Sequence, residues 1–149
     1  MSPTSERVPE ELRNLVIARA EHLCEYCLIH EDDTFFGCEV DHIISVKHGG
    51  LAEATNLAFA CVFCNRHKGS DIGSILPRTG EFLRFFNPRT DRWAEHFRLN
   101  GALIESLSGI GEVTARILGF NNTDRILERE LLMAMGIYPP TAAKARLQD

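Results

Sequence analysis

Cys24, Cys27, Cys61 and Cys64, with Asp41, His42, Asn56 and Asn65 threaded between and just after them, have the types and spacings to do chemistry. The cysteines read C-x2-C-x33-C-x2-C. Each pair makes a tight turn that aims two sulfurs at one ion, and two such turns close a tetrahedron around zinc. Four thiolates leave no position for water, so a zinc held this way is structural. The second set is of another kind: a carboxylate, an imidazole and two amides, none of which a purely structural zinc module needs. Phosphodiester hydrolysis does need them. It requires an activated water, in-line attack and relief of the charge developing on the leaving oxygen.

Positioning these residues falls to a few short elements. PEELRNLVIARAEHL has Pro9 at a helix entry and acids in its first turn, with Leu12, Leu15, Val16, Arg19 and Leu23 at helical spacing. It predicts a helix over roughly 9–22 that delivers the chain to the first cysteine pair. GCEVDHIIS alternates like a strand, VKHGGLAEAT reads as an irregular loop, and NLAFAC is a second short strand ending at the second pair. A helix is expected to begin directly behind Cys64, with NRHKGSDI. Neighbouring strand residues point to opposite faces. Asp41 and His42 therefore need a bulge or a strand end to address one phosphate.

The pieces CEYC, VDHIIS, KHGG, NLAFAC and CVFCNRHKG resemble the HNH nuclease family, in its subgroup with a four-cysteine zinc site. The likeness covers residues 24–70 in detail. It implies a ββα-metal fold and metal-dependent hydrolysis of DNA phosphodiesters leaving 5′-phosphate and 3′-hydroxyl ends. His42 matches the family's general base, and an imidazole with an ordinary pKa near 6.5 suits that task. Asp41 matches the metal-binding carboxylate. Asn56 matches the middle asparagine, which pins the loop between the two strands and orients His42. Asn65 stands where the last histidine often stands. An amide oxygen there favours a hard cation, Mg²⁺ or Mn²⁺. On the following helix, Lys68 and Arg66 offer positive charge to DNA phosphates, Arg66 being equally readable as solvated surface. His48 either touches phosphate or caps a loop. His22, His30, His67 and His96 are read as exposed.

The remainder of the chain is a C-terminal extension. GSILPRTGEFLRFFNPRTDRW suggests turns between short strands, and Asn100-Gly101 is a strong hairpin signal. GEVTARILGF and NNTDRILERELLMAMG read as two helices, the second capped near Asn122 or Thr123. The last nine residues are left open to disorder. SLSGIGEVTARIL resembles the second half of a helix-hairpin-helix, whose glycine turn offers N–H groups to phosphate. Glu112 opposes that reading, and a glycine turn starting a helix with Ile110, Val113 and Ile117 in the core is preferred. Phe82, Phe85, Phe86, Trp93 and Phe97 are expected to form the extension's core.

Bulk properties bound the reading. The chain has 149 residues and a formal charge of −5, to which a tetrathiolate zinc adds a further −2. A protein that binds chiefly by neutralising phosphates would be basic. The charge is uneven: residues 66–98 hold seven Lys/Arg against four Asp/Glu, so a phosphate-binding face is expected there. The fifth cysteine, Cys38, reads as a buried free thiol. No apolar run of about 18 residues suggests a membrane span, and MSPTSERVPEEL has no secretory pattern, so a cytoplasmic location is expected. The sequence thus predicts an α+β chain. Residues 1–70 form a ββα-metal core with a four-cysteine structural zinc site, and residues 71–149 form an extension of short strands and two helices packed on it. The predicted activity is a DNA endonuclease using a catalytic Mg²⁺ or Mn²⁺ ion. The alternative is a non-cleaving, zinc-stabilised nucleic-acid-binding or interaction module.

Overall fold

The computed structural model describes residues 7–148. The N-terminal stretch read as lacking a secretory pattern lies, for residues 1–6, outside the described residues, as does Asp149 of the tail. Helix α1 (Glu10–Ala20) leads to the first cysteine pair. Its inward face is narrower than the spacing predicts: Val16 is fully buried, whereas Leu15 is half exposed. Strands β1 (Cys38–His42) and β2 (Leu57–Cys61) pair antiparallel, with Asp41 opposite Ala58 and His42 opposite Leu57. Helix α2 (Val62–Lys68) follows without a break. It starts before Cys64, not behind it, because Cys61 acts as its N-cap, with Sγ accepting from the Cys64 N–H at 3.4 Å.

Two further hairpins, β3 (Gly73–Leu76) with β4 (Glu81–Arg84) and β5 (Phe97–Asn100) with β6 (Leu103–Ser106), flank a single-turn helix α3 (Trp93–His96). The second hairpin turns at Gly101, whose φ of 58° is a conformation L side chains rarely adopt. Helices α4 (Gly109–Ile117) and α5 (Thr123–Ala134) come next. The short α6 (Lys144–Gln148) occupies the tail, and its Arg146 donates to the carbonyl of Ala20 at the end of α1. The glycine-containing first turn of α4 packs against protein: a Cβ on Gly111 would stand 2.3 Å from the His96 carbonyl oxygen. The helix is capped by the Ser108 hydroxyl, which accepts from Gly111 N–H at 3.0 Å.

One buried cluster joins Cys24, Cys27, Cys61 and Cys64 to Phe85, Phe86, Trp93, Phe97, Ile104, Phe120 and Tyr138. Of the aromatic cluster predicted from sequence, Phe82 is the exception, being more than half exposed. The two cysteine knuckles and the extension therefore share a core. Polar bonds stitch them as well: Trp93 Nε1 donates to the Tyr26 carbonyl at 2.8 Å and the Tyr138 hydroxyl to the Cys27 carbonyl at 2.8 Å. Arg89 pairs with the buried Glu25 and also donates to the Leu57 carbonyl at 3.0 Å. Among the described residues, no helix is long and apolar enough to cross a membrane.

Candidate active site and metal centre

The sulfurs of Cys24, Cys27, Cys61 and Cys64 lie within 4.8 Å of one another, and all four residues are buried. Cys27 and Cys61 Sγ are 3.7 Å apart. A tetrahedron with bonds of about 2.3 Å has edges of about 3.8 Å, so the donor set fits zinc in both chemistry and size. The Cys27 N–H points at Cys24 Sγ at 3.4 Å, repeating on the first knuckle the N–H···S contact that caps α2. Burial raises the Cys24 and Cys64 thiols well above the usual thiol value. Burial would raise Cys27 too, but the neighbouring sulfurs and the Arg125 charge outweigh it and hold Cys27 well below. Cys38 is half-buried, and burial pushes its thiol up, as suits an inert cysteine.

The second set is positioned by β1 and α2. Glu39 and Asp41 alternate onto one face of β1. Asn65 and Lys68, one turn apart on α2, meet that face: Asn65 Nδ2 donates to Glu39 Oε2 at 2.9 Å, and Lys68 Nζ to Asp41 Oδ2 at 3.1 Å. Lys68 Nζ also donates to the His42 carbonyl at 2.9 Å. Burial pushes the Asp41 carboxyl above its ordinary value, against the pull of the Lys68 charge. His42 ends β1, and it lines an open cleft of about 390 Å³ with Asp41, Ser45, Val46, Lys47, Gly69 and Ser70. The strand end is what lets neighbouring side chains reach one cleft.

Asn56 is buried beneath the loop that follows β1. Its Oδ1 accepts from Ile44 N–H at 2.8 Å, and its Nδ2 donates to the carbonyls of Ile44 at 2.9 Å and Leu51 at 3.0 Å. The Asn56 carbonyl accepts from Ile43 N–H at 2.8 Å. One side chain thus fixes the backbone two residues beyond His42. Only glycine fits at position 50, since a Cβ there would sit 1.7 Å from the Ile44 carbonyl oxygen.

Residues 24–71 match the family model described as HNH endonuclease. These residues form an HNH domain. No curated protein and no solved structure matches the chain.

Two features of the HNH domain differ from the sequence expectation. Lys68, predicted to present charge to DNA, is 1% exposed, and its ammonium is committed to Asp41 and His42. The charge exposed at the cleft is Lys47, to which the sequence assigns no role. Its position in a loop gave no periodic signal. His48 and Arg66 are exposed, Arg66 with its guanidinium carbon 6.0 Å from the Phe36 ring centroid. Asn65 is brought to Glu39, two residues along the strand from Asp41.

The excess of cations over 66–98 also does not form a free basic face. Arg78 pairs with Glu112, Arg84 with Asp91, Arg89 with Glu25, Arg92 with Glu95 and Arg98 with Glu105. Each guanidinium is matched by a carboxylate, two of them from beyond residue 98. Composition within a window cannot register partners supplied from outside it. His30 and His96, read as exposed, are half-buried, with His96 Nδ1 bonded to Ser108 Oγ at 2.6 Å.

Proposed function

We propose that the chain is a metal-dependent endonuclease that hydrolyses DNA phosphodiester bonds at the cleft of its HNH domain, leaving 5′-phosphate and 3′-hydroxyl ends. The observation that carries this reading is that Asp41 and His42 line the same cleft, beside a loop clamped by Asn56. The Nε2 atom of His42 is buried without a hydrogen-bond partner. Nδ1 is therefore the nitrogen assigned to take a proton from the attacking water. Asn56 orients this base by fixing the backbone that follows it. Asp41 and Asn65 are assigned to hold the cation: both offer hard oxygens, and the Asn65 amide nitrogen is engaged by Glu39, leaving Oδ1 as the ligating atom. A bound Mg²⁺ or Mn²⁺ ion would supply Lewis-acid stabilisation of the phosphate and leaving oxygen. Arg66, His48 and Lys47 are assigned to flanking phosphates.

The test is supercoiled plasmid with Mg²⁺ or Mn²⁺, comparing wild type with His42→Ala at equal zinc content. Loss of nicking by about 10²–10⁴ in His42→Ala, with DNA binding retained, is the expected result. Equal nicking by both proteins overturns the mechanism. Tight binding by a wild type that leaves plasmid intact favours the non-cleaving module instead.

A further inference from the structure

Arg125, on α5, lies far along the chain from the cysteines. Its side chain is nevertheless 2% exposed and directed at the cage. Nη2 stands 3.1 Å from Cys27 Sγ and 3.6 Å from Cys61 Sγ, and Nη1 3.8 Å from Cys64 Sγ. The guanidinium lies over the Phe63 ring, its carbon 5.0 Å from the centroid, and its Nε bonds Glu128 Oε1 at 3.3 Å.

We propose that Arg125 is a fifth member of the zinc site, a guanidinium supplied by the extension that offsets part of the charge of the buried tetrathiolate and hydrogen-bonds its sulfurs. Four thiolates on one Zn²⁺ leave two negative charges in a fully buried setting, where unpaired charge is costly. The N–H groups of Cys27 and Cys64 engage Cys24 and Cys61, but carry no net charge. Arg125 brings that charge, and its planar fork spans three sulfurs at once, which a lysine ammonium could not do. Glu128 returns part of the compensation from the outer side of the fork. The consequence reaches beyond the HNH domain: zinc holds α5, and α5 holds zinc, so metal loading and seating of the extension are one event. This inference depends on the cage alone, and its outcome is independent of whether the cleft cuts DNA.

The experiment is zinc competition in the full-length protein with a chromogenic chelator at fixed pH. It compares wild type, Arg125→Lys, Arg125→Met and Glu128→Gln, with cobalt(II)-substituted spectra recorded alongside. Removal of partners that hydrogen-bond metal ligands typically costs about 10–100-fold in metal affinity. Arg125→Met is expected to fall in that range and Arg125→Lys between it and wild type, with a shifted sulfur-to-cobalt charge-transfer band in both. Glu128→Gln should bind zinc at least as tightly as wild type. Should Arg125→Met fail to fold, Arg125→Lys carries the test. Wild-type zinc affinity and an unshifted cobalt band in Arg125→Lys would overturn the proposal.

Discussion

Lys68 Nζ lies 3.1 Å from Asp41 Oδ2 with its side chain only 2% exposed, so the carboxylate assigned to the catalytic ion already carries a resident cation. This pair ties the end of β1 to the end of α2. Removing the ammonium with Lys68→Met leaves a largely buried carboxylate without its cationic partner, a change that typically costs about 3–5 kcal/mol. Burial already raises the folded Asp41 carboxyl above its ordinary value, and loss of Lys68 raises it further. A raised folded pKa means the native state binds the proton more tightly than the unfolded chain. The penalty of Lys68→Met should therefore shrink as pH falls from neutrality through the raised pKa. Urea unfolding at several pH values checks this, and an equal penalty throughout would show that Lys68 acts through packing alone.

The Asn56 amide makes three backbone bonds, and its two ends are not interchangeable. Asn56→Ala leaves the Ile44 N–H and two carbonyls without this partner, at a cost of about 1–3 kcal/mol for each group that stays buried and unsatisfied. Asn56→Asp keeps the acceptor for Ile44 N–H but turns a carboxylate oxygen toward the carbonyls of Ile44 and Leu51. It should be no more stable than Asn56→Ala, despite being nearly isosteric. Chemical denaturation of the two variants decides it. Stability of Asn56→Asp close to wild type would mean that the donor bonds contribute little.

What was legible in the sequence was local. The cysteine spacing, the short strands on either side of the glycine loop and the hairpin at Asn100-Gly101 each depend on near neighbours. Helix α5 shows where that stops. Its buried face is Arg125, Arg129 and Leu132, while Leu127 and Leu131 are more than half exposed. A hydrophobic count assigns those arginines to solvent. They turn inward because distant groups await them: the cage sulfurs for Arg125, and for Arg129 the carbonyls of Ala102 and Phe120, each at 2.7 Å. The one internal hint is spacing, since positions 125, 129 and 132 share a helical stripe. Lys68 turns inward for the same reason. Its carboxylate stands on another element, and nothing within α2 announces it.

Asp91 accepts both arms of Arg84, at 2.7 and 3.0 Å, and the Asn87 N–H at 2.8 Å. Burial alone would raise its carboxyl, but these donors outweigh it and hold the pKa below the ordinary value. A depressed folded pKa contributes stability that is present above the unfolded value, near 3.9, and is lost as pH falls through the folded one. Asp91→Asn should consequently be less stable than wild type at pH 6, and the gap should narrow on acidification to about pH 3. The comparison requires unfolding curves for both proteins across that range. A gap independent of pH would assign the role of Asp91 to the shape of the turn and not to its charge.

With Arg78, Arg84, Arg89, Arg92 and Arg98 paired, the exposed cations left near the cleft among the described residues are Lys47 and Arg66. Lys47 lines the cleft and is exposed, while Arg98, a control of the same sign, is bonded to Glu105 at 2.8 Å. Each phosphate contact contributes roughly 0.9 to the slope of log affinity against log salt. Lys47→Glu should therefore weaken binding to duplex DNA and reduce the salt slope by about one contact. Arg98→Glu should leave the slope nearly unchanged, because it removes a cation already neutralised by its neighbour. Titrations at three salt concentrations with catalytically silent His42→Ala as the background separate binding from cleavage. If Arg98→Glu flattened the slope and Lys47→Glu did not, the DNA path would run along the β5–β6 hairpin and the cleft would have to be reassigned.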